Sequence, residues 1–363
     1  MRRQALAMGL GVLVVGLMLT LQSAQPVRAV NLDVCPTCNY QTIQSAVDAA
    51  EGGDTIRVVQ GAYTENLVVD KGVVLEGGYE PVGWTRDVAL ETIIDGNKEG
   101  SVVKLIEGSD GAVLDGFTLR NGEANSGGGV YVLGTSVAIR QCQVISNTAR
   151  DGGGGINLLY ATATIDANFI FSNSVEARGG GGMVIDRSLV TATNNVIAFN
   201  KGELPYRGDG IYVWGNTARA QIVNNTILSN SGEAIEAMAG AEVWLRNNII
   251  TGNQGGLFNF LEEATFFSDY NLFWNNGWMD YSGVTPGPRD ISADPLLVDP
   301  ENGDYHLQVS SPCIDAGTND GALSTDFDGD PRPDGCWVDI GADELALGRG
   351  CDRIYLPLVL VQR

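Results

Sequence analysis

The chain has 363 residues, with 44 acidic residues against 22 basic ones and a net charge of −22 at neutral pH. Such an acidic surface argues against nucleic acid as a partner and against electrostatic capture by anionic lipid, because both require positive charge. It also argues against a polyanionic substrate such as pectin unless cations intervene, and we interpret the charge as a source of solubility.

Residues 1–29 have the features of a secretory signal peptide. Arg2 and Arg3 form a basic start, an apolar run covers 5–21, and a small-residue cleavage site ends at Ala29. The apolar run has about 17 residues, which is short for a membrane span, so we expect removal rather than retention. The sequence therefore predicts an extracellular or cell-surface protein with no transmembrane span in the mature chain.

A short amphipathic helix is predicted over 40–51. Its apolar side chains share one face at helical spacing: Ile43, Ala46, Val47 and Ala50. A strand follows from Gly52, and after it comes the phrase Gly61-Ala-Tyr-Thr-Glu65. Such a helix can close the open end of a stacked-strand architecture.

A phrase that closes in asparagine recurs roughly every 25 residues over 116–277, and this period is typical of stacked repeats. The closing residues are Asn121, Asn147, Asn173, Asn200, Asn230, Asn253 and Asn276. The apolar or β-branched centres of the phrases are Thr118, Val144, Ile170, Ile197, Ile227, Ile250 and Phe273. Five residues before each closing asparagine stand Gly116, Cys142, Asn168, Asn195, Asn225, Asn248 and Asn271. Asparagine tolerates the left-handed conformation and bonds to stacked copies of itself, so it suits the corners between strands.

Glycine clusters precede a second, alternating strand in each repeat. Its outward residues form one stripe: Tyr131, Asn157, Val184, Tyr212, Glu236 and Phe258. With a third short strand before each first corner, every repeat supplies three strands. The sequence therefore predicts an all-β, right-handed parallel β-helix over 30–285, with about nine or ten coils stacked about 4.8 Å apart.

The run from Thr42 to Ala50, together with Gly53-Asp-Thr-Ile and Gly61–Glu65, resembles the opening cap of the pectin-lyase-like superfamily of right-handed β-helices. Enzymes of that superfamily carry an acidic calcium cluster with an arginine, paired aspartates with Gly-His-Gly, or two aspartates with an arginine in motifs of their own. None of those motifs occurs in this sequence, and His306, the only histidine, lies outside the coils. Since a shared fold does not carry a shared activity, we expect a non-catalytic protein.

Residues 286–345 are similar to the choice-of-anchor Q segment of exported bacterial β-helix proteins. The resemblance rests on four phrases: 294–307, Ser311-Pro-Cys-Ile-Asp-Ala-Gly317, Asp326-Phe-Asp-Gly-Asp-Pro-Arg332 and Val338-Asp-Ile-Gly-Ala-Asp-Glu344. It implies a C-terminal cap module whose means of surface attachment varies. The apolar tail within 346–363 is too short to cross a bilayer, and two interpretations stay open: a sorting signal, or a last strand on the cap.

Six cysteines in an exported chain can be oxidised. We expect a local disulfide between Cys35 and Cys38 and favour a pairing of Cys313 with Cys336, although spacing alone does not fix connectivity. Cys142 replaces asparagine at a corner and is expected to be a buried free thiol.

The outward stripe is the main candidate site. Aromatic and polar side chains on a flat parallel face suit stacking on sugar rings, so we expect carbohydrate contacts from Tyr131, Asn157, Tyr212, Trp214, Glu236 and Phe258, with Trp244 as an extension. The alternative is ordinary β-propensity, or a face covered by a loop.

Two further candidates are acidic. Five carboxylates lie in or near the glycine corners: Asp151, Asp186, Asp209, Glu233 and Glu236. Any two carboxylates on neighbouring coils lie at about the separation that a catalytic pair in a glycosidase needs, so their closeness is weak evidence for catalysis. We therefore expect solvated corner charges rather than a catalytic pair. Asp326, Asp328 and Asp330 resemble a calcium loop without the EF-hand pattern, and they either hold calcium or form turns. No other cofactor is expected.

The sequence thus predicts a secreted or cell-surface β-helix protein, structural or adhesive, whose partners are polysaccharides or other cell-surface components. The alternative is a polysaccharide lyase or glycoside hydrolase with the pectin-lyase-like fold.

Overall fold

The computed structural model describes residues 29–177, 179–202, 208–348 and 351. Apart from Ala29, the predicted signal peptide lies outside the described residues, and so does most of the apolar tail. Within the described ranges, no helix is long and apolar enough to cross a membrane.

Each coil contributes one strand to each of three parallel sheets, whose neighbours are strands of successive coils. Sheet I contains β1 (Asn31–Val34), β2 (Thr55–Val59), β5 (Val74–Tyr79), β8 (Ala112–Asp115), β12 (Ser136–Arg140), β16 (Thr162–Asp166), β20 (Leu189–Thr193), β24 (Arg219–Val223), β27 (Glu242–Arg246) and β30 (Thr265–Asp269). Sheet II contains β3 (Gly61–Thr64), β6 (Thr92–Asp95), β9 (Thr118–Arg120), β13 (Gln143–Ile145), β17 (Phe169–Phe171), β21 (Val196–Ala198), β25 (Thr226–Leu228), β28 (Ile249–Thr251), β31 (Leu272–Trp274) and β33 (Ile291–Ser292). Sheet III contains β4 (Leu67–Val69), β7 (Val103–Leu105), β11 (Val130–Leu133), β15 (Ile156–Leu159), β19 (Met183–Asp186), β23 (Ile211–Trp214), β26 (Glu233–Met238), β29 (Gly255–Asn259) and β32 (Tyr281–Ser282).

The remaining elements are short. Two-residue strands form a fourth parallel sheet at one corner: β10 (Glu123–Ala124), β14 (Thr148–Ala149), β18 (Ser174–Val175) and β22 (Lys201–Gly202). An antiparallel hairpin pairs β34 (Leu297–Asp299) with β35 (Asp304–Leu307). The helices are α1 (Ile43–Ala49) and the 3₁₀ turns Phe260–Glu262 and Pro300–Asn302.

One internal file of side chains runs along the axis and confirms the predicted parallel β-helix. The buried residues Val144, Ile170, Ile197, Ile227, Ile250 and Phe273 pair in register on successive strands of sheet II. The first repeat was placed one residue out, because Leu119, not Thr118, pairs with Val144. Asn121 adopts a positive φ of 55°, and the next residue, Gly122, takes the corner position.

Two asparagine ladders hold the corners on either side of sheet II. One contains Asn147, Asn173, Asn200, Asn230, Asn253 and Asn276, and the other Asn168, Asn195, Asn225, Asn248 and Asn271. Each side-chain amide donates to the side-chain oxygen of the next asparagine at 2.8–3.1 Å. The ladders satisfy polar groups that would otherwise be buried without partners.

Helix α1 closes the N-terminal end of the core. The Thr42 hydroxyl accepts from the Ser45 N–H, and the Glu65 carboxylate accepts from two further N–H groups of the first turn. Ile43, Ala46 and Val47 are buried in the core of the coils. The helix is shorter than 40–51 because Thr42 and Ala50, which flank it, are both extended.

The C-terminal segment lies along the side of the rod. After β33 joins sheet II, the chain to 348 packs on the outer surface of that sheet. The apolar contact surface contains Val196, Leu228, Ile249 and Leu272 from the coils, and Leu297, Tyr305, Leu307, Phe327 and Ile340 from the segment. The buried Arg332 pairs with Glu344 and donates to the Asn194 side chain, so it ties the segment to the corner between sheets I and II.

The structure contains two disulfides among the described residues. Cys35 bonds to Cys38, and Cys336 bonds to Cys351, so the expected pairing of Cys313 with Cys336 is wrong. Cys313 is a buried thiol in the apolar contact with sheet II, whereas Cys336 is only half-buried. Cys142 is a buried free thiol.

Candidate functional site

The outward stripe of sheet III forms a groove. Tyr131, Asn157, Val184, Tyr212, Glu236 and Phe258 stand in register on successive strands, as the alternating pattern predicted. Two residues further along the strands runs a second outward file: Leu133, Leu159, Asp186, Trp214 and Met238. The two files and the glycine corners line a groove with a volume of about 440 Å³, which we call the sheet III groove. It is lined by Ser126, Tyr131, Asp151, Gly152, Asn157, Leu159, Gly179, Val184, Asp186, Tyr212, Trp214 and Met238.

Asn157 and the glycine corners shape the base of the groove. The Asn157 side-chain oxygen accepts from the Gly153 N–H at 3.2 Å, and Asn157 itself is buried. A Cβ on Gly154 would lie 2.3 Å from the Ser174 carbonyl oxygen of the next coil. Only glycine lets the coils stack so closely at this corner.

The aromatic wall and the carboxylates meet in the middle of the groove. The Tyr212 hydroxyl lies 2.9 Å from the Met238 sulfur, and Asp186 is the register neighbour of Trp214. Burial raises the pKa of Asp186, while the adjacent Arg187 opposes that rise. Burial, and then the charge of Asp186, raise the pKa of Tyr131. The groove can therefore offer ring faces and hydrogen-bond acceptors to one ligand.

Three of the five corner carboxylates are not solvated, which corrects that expectation. Asp209 is 2%, Glu233 4% and Glu236 0% exposed. Glu236 accepts from the Gly208 N–H at 2.8 Å, and its burial removes it from the surface that a ligand can reach. Asp209 accepts from the Ser231 hydroxyl, and burial raises the pKa of Asp209 to about 6. Of these five carboxylates, Asp151 and Asp186 line the groove.

Two aromatic residues lie away from the groove. Phe258, beyond the buried Glu236, lines a separate small pocket of about 70 Å³ with Trp278 and Met279. Trp244 belongs to β27 of sheet I, where it stacks on Phe267 at 5.3 Å, so it does not extend the stripe. The sequence analysis assigned Trp244 to the third strand of its coil, but it treated the residue as an extension of the stripe although the third strands form a separate sheet.

The aspartates of the C-terminal segment have other partners. Asp326 accepts from the N–H groups of Asp328 and Asp330, as a turn-forming aspartate does, and Asp328 contacts the His306 ring at 2.6 Å. Although partial burial opposes protonation, hydrogen bonds to Asp304 and Asp328 raise the pKa of His306 to about 9. Across the described ranges, no group of three or more His, Cys, Asp or Glu is placed to hold a metal ion. These contacts fit the turn-forming alternative, and calcium binding stays an untested alternative.

Comparison with known proteins agrees with this geometry. The family profile described as "Right handed beta helix region" matches residues 101–273. The fold is a right-handed parallel β-helix. Pectate lyase Pel9A superimposes with a TM-score of 0.54 and 13% identity, over 87% of this chain and 96% of that one. A pectin methylesterase from Aspergillus niger gives 0.38 and 16%, over 75% and 94%.

These structures are similar to the chain in fold alone, because the sequence identities are too low to carry function. The second superposition is too poor to support an argument. No curated protein matches the sequence.

Arg187 and Tyr160 at the edge of the groove were missed as candidates. Counting two residues onward from each member of the stripe would have identified the second outward file and, beside it, Arg187. The sequence analysis followed one file of aromatic residues and read Asp186 only as a corner charge.

Proposed function

We propose that this is an exported, non-catalytic β-helix protein, structural or adhesive, that binds a polysaccharide in the sheet III groove. The observation that supports the proposal is the convergence of three rings, Tyr131, Tyr212 and Trp214, with the carboxylates of Asp151 and Asp186. Concave sites that combine aromatic side chains with a few fixed polar groups are typical ligand sites.

The dimensions of the groove suit a chain ligand. Most of the lining side chains come from β11, β15, β19, β23 and β26, which are five neighbouring strands of sheet III, while Ser126 and Asp151 come from the corners. Four steps of about 4.8 Å give a length of about 19 Å, enough for several sugar units laid along the rod axis. Sugar rings can stack on the aromatic faces, while their hydroxyl groups donate to the carboxylates in charge-assisted hydrogen bonds.

The charge favours an uncharged ligand. Among the described residues, Asp151 and Asp186 bring two carboxylates to the groove, and the chain as a whole carries a net charge of −22. A polyuronate would bring further negative charge into that field, at a free-energy cost that grows as water is excluded. We therefore propose a neutral polysaccharide, and export with surface attachment of the protein belongs to the same proposal.

A second candidate is a lyase or hydrolase acting in the same groove. Asp151, Asp186 and the neighbouring Arg187 supply the residue types that such chemistry uses, and a pectate lyase shares the fold. Arg187 pairs with Asp186 and stacks on Trp214, however, so it is already engaged in a way that suits a positioned binding surface better than a general base.

The test is binding by the exported chain to soluble neutral hexasaccharides (cello-, xylo-, manno- and malto-series) and to oligogalacturonate, with reducing ends and unsaturated products measured in parallel. We expect saturable binding to a neutral series without new products, and a loss of about tenfold or more in Trp214→Ala. Phe267→Ala, an exposed ring on sheet I, is the matched control and should bind as the wild type does. New chain ends that vanish in Asp186→Asn would establish the enzyme instead.

A further inference from the structure

Arg187 joins the side chains at the edge of the groove. It follows β19 in a left-handed conformation, with a φ of 49°, and its N–H donates to the Trp214 carbonyl at 2.8 Å. Its guanidinium carbon lies 4.0 Å from the centre of the Trp214 ring and 5.4 Å from that of Tyr160. These distances place one cation against rings of the coils before and after it.

The same guanidinium group makes two polar contacts. Nη1 donates to the Tyr160 hydroxyl at 3.1 Å and lies 3.2 Å from Asp186 Oδ1. Arg187 therefore contacts three successive coils: Tyr160 below, Asp186 on its own coil and Trp214 above. A flexible surface arginine would not hold so many partners in one geometry.

Gly215 makes room for this arrangement. A Cβ on Gly215 would lie 2.6 Å from Arg187 Cγ, and Gly215 itself has a φ of 102°, which side chains rarely adopt. The arginine stem thus packs directly on the backbone of the next coil. This close packing explains why glycine follows Trp214 in the sequence.

We infer that Arg187 is a positioning residue that builds a subsite in which one uncharged sugar contacts both Trp214 and Asp186. The inference rests on the proposed function, since it deepens the site already described. Arg187 fixes the indole plane on which the sugar ring stacks and orients the Asp186 carboxylate to accept from a ring hydroxyl. Trp214 and Asp186 are register neighbours on adjacent strands, so one sugar unit can reach both.

The arrangement also accounts for discrimination against acidic sugars. The guanidinium of Arg187 is paired with Asp186, and Asp151 adds another carboxylate to the lining. A uronate ring stacked on Trp214 would place its own carboxylate beside the carboxylate of Asp186, and the two negative charges would repel each other. A neutral sugar brings only hydroxyl donors.

The experiment compares wild type, Arg187→Ala, Arg187→Lys and Asp186→Asn on the neutral hexasaccharide that binds and on oligogalacturonate. Arg187→Ala should weaken neutral binding about tenfold, and Arg187→Lys should recover part of the loss. Arg219→Ala, which removes a paired arginine on sheet I, is the matched control and should leave binding unchanged.

The pH profile separates positioning from mere support of the fold. Asp186 faces Arg187 and Tyr131, and it shares the groove with Asp151. Binding needs the Asp186 carboxylate, so the affinity should fall as the pH drops through the pKa of Asp186, and we call this fall the acid limb. The acid limb should move to higher pH in Arg187→Ala and disappear in Asp186→Asn.

The outcomes distinguish the two proposals. If no member of the panel binds the wild type, the proposed function and this inference both fail. If Trp214→Ala abolishes binding while Arg187→Ala and its acid limb match the wild type, the groove binds sugar and Arg187 does not position it. If Arg187→Ala does not fold, the affinity of Arg187→Lys and the pH profile of Asp186→Asn still test the subsite. An acid limb in Asp186→Asn that matches the wild type overturns it.

Discussion

Removing one member of an asparagine ladder should cost far more stability than a single surface change. Asn195 is fully buried in the middle of its ladder. It donates to the Ile165 carbonyl at 2.8 Å and to Asn225 Oδ1 at 2.9 Å. Its own Oδ1 accepts from the backbone and side-chain N–H groups of Asn168 at 2.9 and 3.0 Å.

Asn195→Ala therefore deletes four hydrogen bonds and leaves their partners buried. At about 1 kcal/mol for each net bond, the free energy of unfolding should fall by about 4 kcal/mol, and stranded polar groups would add to that loss. Asn302→Ala is the matched control, because exposed Asn302 makes one side-chain bond to Asp299. Its effect should stay within about 0.5 kcal/mol.

Urea unfolding measures the change, with an unaltered slope required for the comparison. Hydrogen exchange adds a local readout, since the Asn168 N–H loses its acceptor and should exchange faster in Asn195→Ala. A destabilisation below about 1 kcal/mol, or one equal to that of Asn302→Ala, would refute the argument that the ladders support the corners.

Three other predictions concern the C-terminal segment. Arg332→Ala leaves the buried Glu344 without its cation, so the C-terminal segment should lose about 3–5 kcal/mol of stability. The loss should appear as early protease cleavage and fast hydrogen exchange confined to that segment. Protection of the segment equal to that in the wild type would contradict this prediction. Burial raises the pKa of Asp343 to about 6 and that of Glu344 to about 7, and the hydrogen bonds described above raise the pKa of His306 to about 9. The folded state therefore binds more protons than the unfolded state. The melting temperature should therefore fall as the pH rises from about 5 to about 9, and a rise over that range would overturn the assignment. Because Asp326 already caps its own turn, EDTA should leave the melting temperature unchanged; a calcium-dependent increase would show that the aspartates at 326–330 hold the ion.

The coil pattern was readable from the sequence because a stacked fold repeats the same local requirements. Each coil needs an inward β-branched residue in the same file and a residue at each corner that accepts a bend. The predicted register was one residue out in the first repeat, where glycine replaces asparagine at the corner. Asn121 looked like a ladder residue, but Gly122 takes that position and Leu119 enters the core.

Burial of the stripe could not be predicted from alternation. Period two tells which side of the strand a residue occupies, but not what covers that side. Glu236 points outward and is nevertheless completely buried, whereas Tyr212, one coil earlier, lines the groove. Alternation along one strand places Arg187 beside the second outward file, but it does not indicate which side chain of the next coil, here Trp214, the guanidinium meets.

The C-terminal phrases were recognisable, but their position was not. Their apolar residues seal the outer surface of sheet II, and this contact joins residues more than a hundred positions apart, such as Asn194 and Arg332. The same long-range packing buries Cys313 and leaves Cys336 to pair with Cys351. Sequence spacing carries no information about such contacts.

Hydrogen–deuterium exchange with and without a saturating neutral hexasaccharide tests the central claim most directly. We expect new protection in β15, β19 and β23, which supply the floor and the aromatic wall of the groove, and none in the strands of sheet I. Protection confined to sheet I or sheet II, or none at a concentration that saturates binding, would contradict a sugar site on sheet III.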